Sequence, residues 1–316
     1  MGFFHFNYIM VPKPYGWYNY SFLDKLKWYT EIDKEKKELY SDKFKIKSIL
    51  ERMNIPNLHY AKLISHIKPL DVKTKLNIGV PIQHELVKKD KGIDTIIQKY
   101  GNNKNDQELL TFLSNRFNIK EMDNPATSYV IKLNLSWNTM IIVYNNQIIK
   151  VCYGKYEFPN ERKYFSEWRD ACLFHYRKKT PPRFFAEEFL DFGLPVYEFY
   201  CIFGKPHILS VYLEAEDAFE SNFMIKKTSN GDYNFELLEN KQLMPNTVPL
   251  FFSINKQIAN EAAKIATHFA REFHFVRVDF YQHNNKVYFS ECTFTPGALK
   301  KIKWGSIGKH LSSFWV

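Results

Sequence analysis

Apolar and polar positions change their period several times along the chain, and each change predicts an element. From Ser21 to Arg52 the sequence is charged, but Phe22, Leu26 and Tyr29 recur at helical spacing, followed by Phe44, Ile46, Ile49 and Leu50. Asn54-Ile55-Pro56 then reads as a helix stop. Residues 57–124 mix short apolar runs with Lys- and Asn-rich pieces, with a loop predicted at 101–106 before a helix from Gln107 to Phe117. Three strand candidates follow at 128–132, 140–144 and 147–153, spaced as an antiparallel meander. Residues 161–178 read as a helix ending at Thr180-Pro181-Pro182, and Phe184 to Leu190 as a strand or hinge. The alternating run 196–203 turns at Gly204-Lys205-Pro206 and returns through His207 to Ala215, a second hairpin. Past a polar stretch at 227–248, Ser253 or Asn255 caps a helix with Ile258, Ala262, Ile265, Phe269 and Phe273 along one face. Helices, a small sheet, a hinge, and a larger sheet with a helix make the class α+β. The implied division is 1–124, 125–190 and 191–316.

The last alternating segments, Phe275–Tyr281 and Lys286–Phe294, flank a His-Asn-Asn turn cluster and predict a hairpin rich in chemistry. With a three-residue loop at Asn284, Asn285 and Lys286, position 279 pairs with 291 and 277 with 293. Directly opposed residues share a face with Cβ atoms roughly 5 Å apart, where two carboxylates repel unless a cation lies between them. Asp279, Glu291 and Thr293 then offer three oxygen-bearing side chains to one divalent cation. Mg²⁺, or Mn²⁺ in its place, takes hard oxygen ligands, commonly one or two carboxylates plus substrate phosphates. Arg277, on the same face, points at those phosphates. A two-residue loop at Asn284 and Asn285 shifts the register by one and sends the two carboxylates to opposite faces. The residues alone equally admit a half-exposed hairpin with a charged outer face. If the carboxylates do repel, Asp279→Asn or Glu291→Gln is expected to leave folding intact, or to raise the melting temperature without metal, while abolishing metal-dependent turnover.

Composition narrows the setting. The 316 residues are 45% hydrophobic with 28 Phe and 20 Tyr, which supports a globular chain of two or three lobes. A net charge of +10 favours anionic partners, although the lysines are scattered. Cys152, Cys172, Cys201 and Cys292 have no CxxC or zinc spacing and read as reduced thiols, so a cytoplasmic compartment fits. No signal peptide and no run of about 18 apolar residues is visible, which leaves at most peripheral membrane contact. Nothing resembles a nucleic-acid module. No Ser-His-Asp or Cys-His pattern suggests an enzyme nucleophile, and His274 between Phe273 and Phe275 reads as structural.

Several segments, taken in order, are similar to the ATP-grasp ligases, and more closely to their TupA-like branch, associated with cell-surface polysaccharide and teichuronopeptide synthesis. They are the opening 21–50 stretch ending in Asp42-Lys43, YVIKLN with Lys132, PPRFFAEEFL, VYEFYCIFGKPHILSVY, the hairpin through TFTPGA, and IKWGSIGKHL. The resemblance implies a nucleotide held between a small antiparallel central lobe and a larger C-terminal sheet. It implies that Lys43 and Lys132 contact the ATP phosphates, and that Glu187 or Glu188, with the backbone of Phe189 and Leu190, grips adenine. The resemblance further implies that Glu198 faces the ribose, that Asp279, Glu291 and Thr293 hold Mg²⁺, and that Arg277 stabilises the transferring phosphoryl group. Where the family has a glycine-rich phosphate loop, this chain has Leu133-Asn134-Leu135-Ser136-Trp137-Asn138, which leaves Asn134 and Ser136 as candidate side-chain donors to phosphate or a loop that has lost that function. The implied reaction is ATP-dependent amide formation, through an acyl phosphate, between an acidic sugar or glycan precursor and an amino acid or other amine. Alternatives on the same fold are a sugar kinase and a non-catalytic nucleotide- or glycan-binding relative.

Overall fold

The computed structural model describes residues 13, 15–67, 128–134, 140–145, 147–153, 156–157, 184–191, 194–213, 216–242, 254–296 and 305–315. The predicted loop at 101–106 and helices at 107–117 and 161–178 lie outside the described residues. The chain divides into two compact units: Met1–Ser41, Ile49–Tyr60 and Asp191–Val316 form one, and Asp42–Ser48 with Ala61–Leu190 the other.

The first unit opens with α1 (Phe22–Thr30) and α2 (Lys34–Ser41). Ser21 caps α1 by accepting the Asp24 N–H, and the predicted stripe is buried, with Leu26 and Tyr29 fully so. Its sheet has seven strands: β1 (Leu58–Tyr60), β8 (Pro195–Ile202), β9 (Lys205–Leu213), β10 (Glu216–Lys227), β11 (Tyr233–Gln242), β12 (Phe275–His283) and β13 (Lys286–Thr293). Their order is β1-β13-β12-β8-β9-β10-β11, with β1 parallel to β13 and the other pairs antiparallel. The β8–β9 turn is Phe203–Gly204, both at positive φ (46° and 76°). Gly204 is required twice over, because an added Cβ would also meet the Arg271 backbone at 3.3 Å.

One face of this sheet is packed by α4 (Lys256–Ala270), capped by Asn255, whose Oδ1 accepts the Ile258 N–H. Ala259, Ala262, Ala263, Ala266 and Ala270 are fully buried and let the helix approach closely, while Ile258, Ile265 and Phe269 fill the interval. Burial of each large side chain contributes about 1.5–3 kcal/mol. With α4 holding one face, polar chemistry is left to the other. In the same unit α5 (Gly305–Phe314) is followed by Trp315, which stacks on Phe275 at 5.7 Å. Lys25 is buried and donates to the carbonyls of Ser312 and Trp315, satisfying the end of α5.

The polar stretch expected at 227–248 instead holds the edge strand β11, and residues 216–227, to which the sequence assigned no element, form β10 beside it. As an edge hairpin β11 carries exposed Asn234, Glu236 and Leu237, so the alternation that marks a half-buried strand is blurred.

The second unit contains a six-stranded antiparallel sheet in the order β2-β7-β3-β4-β5-β6. Its strands are β2 (Leu63–Ile67), β3 (Tyr129–Leu133), β4 (Met140–Tyr144), β5 (Gln147–Tyr153), β6 (Tyr156–Glu157) and β7 (Phe184–Glu188). The predicted meander is thus β3, β4 and β5, and Tyr129, Ile131, Val143 and Phe185 are buried within it. The helix α3 (Lys45–Met53) starts in this unit and ends in the first; Asp42 Oδ1 accepts the N–H groups of Phe44 and Lys45 before it.

Candidate functional site

The hairpin of β12 and β13 reaches the anticipated pairing by a different route. Its loop has two residues, Asn284 and Asn285, both at positive φ (50° and 56°), as a type I′ turn demands. A regular ladder from that turn would set Asp279 opposite Ser290. The pairing instead passes from Phe280↔Phe289 to Asp279↔Glu291, leaving Ser290 without an opposite residue. This β-bulge restores the lost register and puts Asp279 against Glu291 and Arg277 against Thr293.

Across β12 the register sets Asp279 beside Glu198, and Glu198 beside Ser210, which pairs in turn with Asn222 and that with Glu239. A polar row therefore crosses the sheet on the face opposite α4. Ser210 and Asn222 are fully buried and bonded to each other, and Asn222 Nδ2 donates to Glu239 at 3.3 Å.

Arg277 sits among three carboxylates. Its Nε donates to Asp279 Oδ1 at 2.8 Å and one terminal nitrogen to Asp279 Oδ2 at 2.5 Å. The other terminal nitrogen is 3.1 Å from Glu198 Oε1, and the first is also 3.6 Å from Glu291 Oε1. The hydroxyls of Tyr200 and Tyr212 donate to Glu198 at 3.1 and 3.2 Å, and Thr293 donates to Glu291 at 3.3 Å. Burial pushes the Asp279 carboxyl well above the ordinary range against the pull of Arg277, with Glu198 and Glu291 adding like charge. Glu198 is raised in the same way, by burial against Arg277. Desolvation works against the guanidinium, but Asp279 and Glu198 outweigh it and hold Arg277 charged.

Three acids on one base leave an excess of negative charge, which a further cation would relieve. Asp279, Glu291 and the Thr293 hydroxyl are the hard-oxygen donors for it, a set of the size Mg²⁺ takes from protein alongside phosphate oxygens. Among the described residues no three His, Cys, Asp or Glu side chains are grouped to hold a metal. Any such ion would need part of its coordination from a ligand or water. The guanidinium between the acids also changes the stability expectation. Asp279 is a bidentate partner rather than a source of strain, so Asp279→Asn lowers the metal-free melting temperature instead of raising it.

The other candidates lie in the second unit. Lys132 on β3 and Glu187 on β7 are diagonal neighbours, and Lys132 Nζ lies 2.5 Å from Glu187 Oε1. The second oxygen, Oε2, is 2.6 Å from Nζ of Lys47, which the sequence did not single out. Burial alone would push the Glu187 carboxyl up, but the two ammonium groups overcome it and hold its pKa at about 2. Lys43 donates its backbone N–H to the Asn134 carbonyl at 3.1 Å, and Asn134 Nδ2 donates to Asp42 Oδ2 at 2.8 Å with both side chains buried. Those bonds fasten the Asp42-Lys43 segment to the end of β3. The Asn134 amide, expected to face phosphate, is spent on that tie.

Glu188 is exposed and accepts the Lys62 N–H at 3.4 Å, Phe189 packs edge-on to Tyr144, and Leu190 is half-buried. Ser136 lies outside the described residues, as does Cys172, and the side chain of Cys152 is likewise not described. Cys201 and Cys292 are buried thiols, and His274 is stacked on Tyr29 at 5.6 Å with burial lowering its pKa. Among the described residues no helix is long and apolar enough to cross a membrane.

Comparison with known proteins agrees with the resemblance in the sequence. The family described as TupA-like ATPgrasp matches residues 72–304. No curated protein matches the chain. Similar solved structures include D-alanine–D-alanine ligase from Bacillus anthracis, at 11% identity and a TM-score of 0.38, covering 87% of this chain and 62% of that one. The ligase of the same name from Helicobacter pylori is 14% identical with a TM-score of 0.38, covering 88% and 58%. N5-carboxyaminoimidazole synthase from Aspergillus clavatus is 10% identical with a TM-score of 0.34, covering 82% and 45%. The chain thus spans about three-fifths or less of the length of these structures. Likenesses at this level add nothing to the family match.

Proposed function

The chain belongs to the TupA-like ATP-grasp family, and we propose that it is an ATP- and Mg²⁺-dependent carboxylate-amine ligase. Its substrates in this reading are an acidic sugar or glycan precursor and an amino acid or other amine, joined for surface polysaccharide synthesis. The observation that carries the proposal is the opposed Asp279–Glu291 pair with Arg277 on the same face, set in register by a bulge. Mg-ATP would supply a phosphoryl group that turns a carboxylate oxygen into a good leaving group.

The residues divide that work. Asp279, Glu291 and Thr293 hold the metal, and Arg277 is retained by Glu198 and faces the charge that builds on the transferring group. Lys132 and Lys43 neutralise the phosphates. Exclusion of water protects the acyl phosphate from hydrolysis until the amine attacks.

The test is incubation of the protein with Mg-ATP, hydroxylamine and a panel of uronic acids and related glycan acids. A ligase releases ADP and phosphate and yields a hydroxamate. A phosphate ester without hydroxamate identifies the kinase alternative. The absence of any Mg-ATP binding in calorimetry favours the non-catalytic alternative in its glycan-binding form, and Mg-ATP binding without hydroxamate or phosphate ester favours it in its nucleotide-binding form.

A further inference from the structure

Glu187 is a buried carboxylate with two lysines on it, and the two differ. Lys47 is the more enclosed, with a side chain 10% exposed, and its ammonium is also held by the Ala61 carbonyl at 2.5 Å. Lys132 has a side chain 21% exposed. Lys47 is held by a backbone oxygen as well as by the acid, and Lys132, on β3, is the more exposed of the two. A single lysine would already neutralise Glu187.

We propose that Lys47 is a resident counter-ion whose task is to let Glu187 release Lys132 to the phosphates of a bound nucleotide. The inference rests on the nucleotide-binding reading above and names a residue that reading did not contain. If Lys132 leaves Glu187 for a phosphate, a buried carboxylate with no other partner would be uncompensated, and that penalty would hold Lys132 back. With Lys47 in place, Glu187 keeps a hydrogen-bonded partner in both states, and the exchange involves one ammonium only. Lys47 thus acts as a positioning residue, and its influence on the nucleotide passes through Glu187.

This makes a sign-reversing prediction. Lys47→Met leaves Lys132 as the sole partner of Glu187, and affinity for Mg-bound AMP-PNP, measured by calorimetry, falls by roughly tenfold or more. Adding Glu187→Gln removes the anion that traps Lys132, so Lys47→Met/Glu187→Gln binds at least about threefold more tightly than Lys47→Met. Lys47→Arg, which keeps the charge, binds as wild type does. If Lys47→Met does not fold, the double variant is compared with Glu187→Gln alone: the two bind alike if Lys47 acts only through Glu187, and a weaker double variant overturns the proposal.

A double variant that binds as weakly as Lys47→Met, or more weakly, overturns the proposal. That result is the one expected if Lys47 touches phosphate directly or Glu187 grips adenine. Wild-type protein that fails to bind Mg-AMP-PNP overturns the nucleotide reading itself, a different outcome from a failed rescue.

Discussion

The two charged clusters are built with opposite stoichiometry. In the first unit one guanidinium serves three carboxylates, Asp279, Glu198 and Glu291; in the second, one carboxylate, Glu187, serves two ammonium groups. A purely structural ion pair gains nothing from such an imbalance, because a buried charge is tolerated best when it is matched. Among the described residues the first cluster holds more acids than cations and the second more cations than acids, so each taken by itself suits a ligand of the charge it has least of.

The comparison can be broken most severely at Arg277. Arg277→Met leaves Asp279 and Glu198 buried without their cation and is expected to destabilise the fold by about 3–5 kcal/mol, read by denaturant unfolding, with part of the loss recovered in millimolar Mg²⁺. A variant as stable as wild type in metal-free buffer would remove Arg277 from the centre of the cluster. Glu187→Gln comes next. Its pKa near 2 lies below the ordinary 4.5, so Glu187 contributes roughly 3 kcal/mol that is fully present above pH 4.5 and is lost as pH falls toward 2. Unfolding free energy measured across that window should drop in wild type and be flatter in the variant. An unchanged slope would mean the two lysines do not hold the carboxyl down.

Asp279→Asn is expected to cost about 1.5–3 kcal/mol without metal, as a charge-assisted pair is weakened, and to abolish Mg-ATP turnover. A rise in metal-free melting temperature would reinstate simple repulsion between the acids. The smallest effect belongs to Tyr212→Phe, which removes one of two phenol donors to Glu198 and should cost about 1 kcal/mol. A loss as large as that of Arg277→Met would make Tyr212, rather than the guanidinium, the main support of Glu198.

Legibility in the sequence followed the same division. The hairpin acids could be read because alternation fixes the face of every residue in a strand, and β12 keeps that alternation through Arg277, Asp279 and Tyr281. The turn could not be read correctly, since a two-residue loop plus a bulge at Ser290 produces the same pairing as a three-residue loop. Sequence periodicity does not separate the two. In α1 and α4 the apolar stripes were plain, and of the two cap candidates Ser253 and Asn255 the structure uses Asn255, whereas the Ser21 cap was not singled out.

Lys47 was hidden for the opposite reason. It is one lysine among many, beside Ile46 in an amphipathic helix, and its partner Glu187 is 140 positions away on another strand. Its single outward signal was proximity to the buried stripe of Ile46, Ile49 and Leu50, where a solvated lysine has no reason to lie. Tyr200, Tyr212, Ser210 and Asn222 were missed because hydroxyls and amides inside alternating strands look like ordinary sheet residues until the register lines them up.

The most direct test of the roles proposed for the two clusters is calorimetric titration of AMP-PNP with and without Mg²⁺ into wild type, Glu291→Gln and Lys132→Met. The account predicts that wild type binds far more tightly with Mg²⁺, that Glu291→Gln loses this dependence on metal, and that Lys132→Met loses affinity whether or not metal is present. Nucleotide affinity that is unaltered in both variants, with the metal dependence intact, would contradict it.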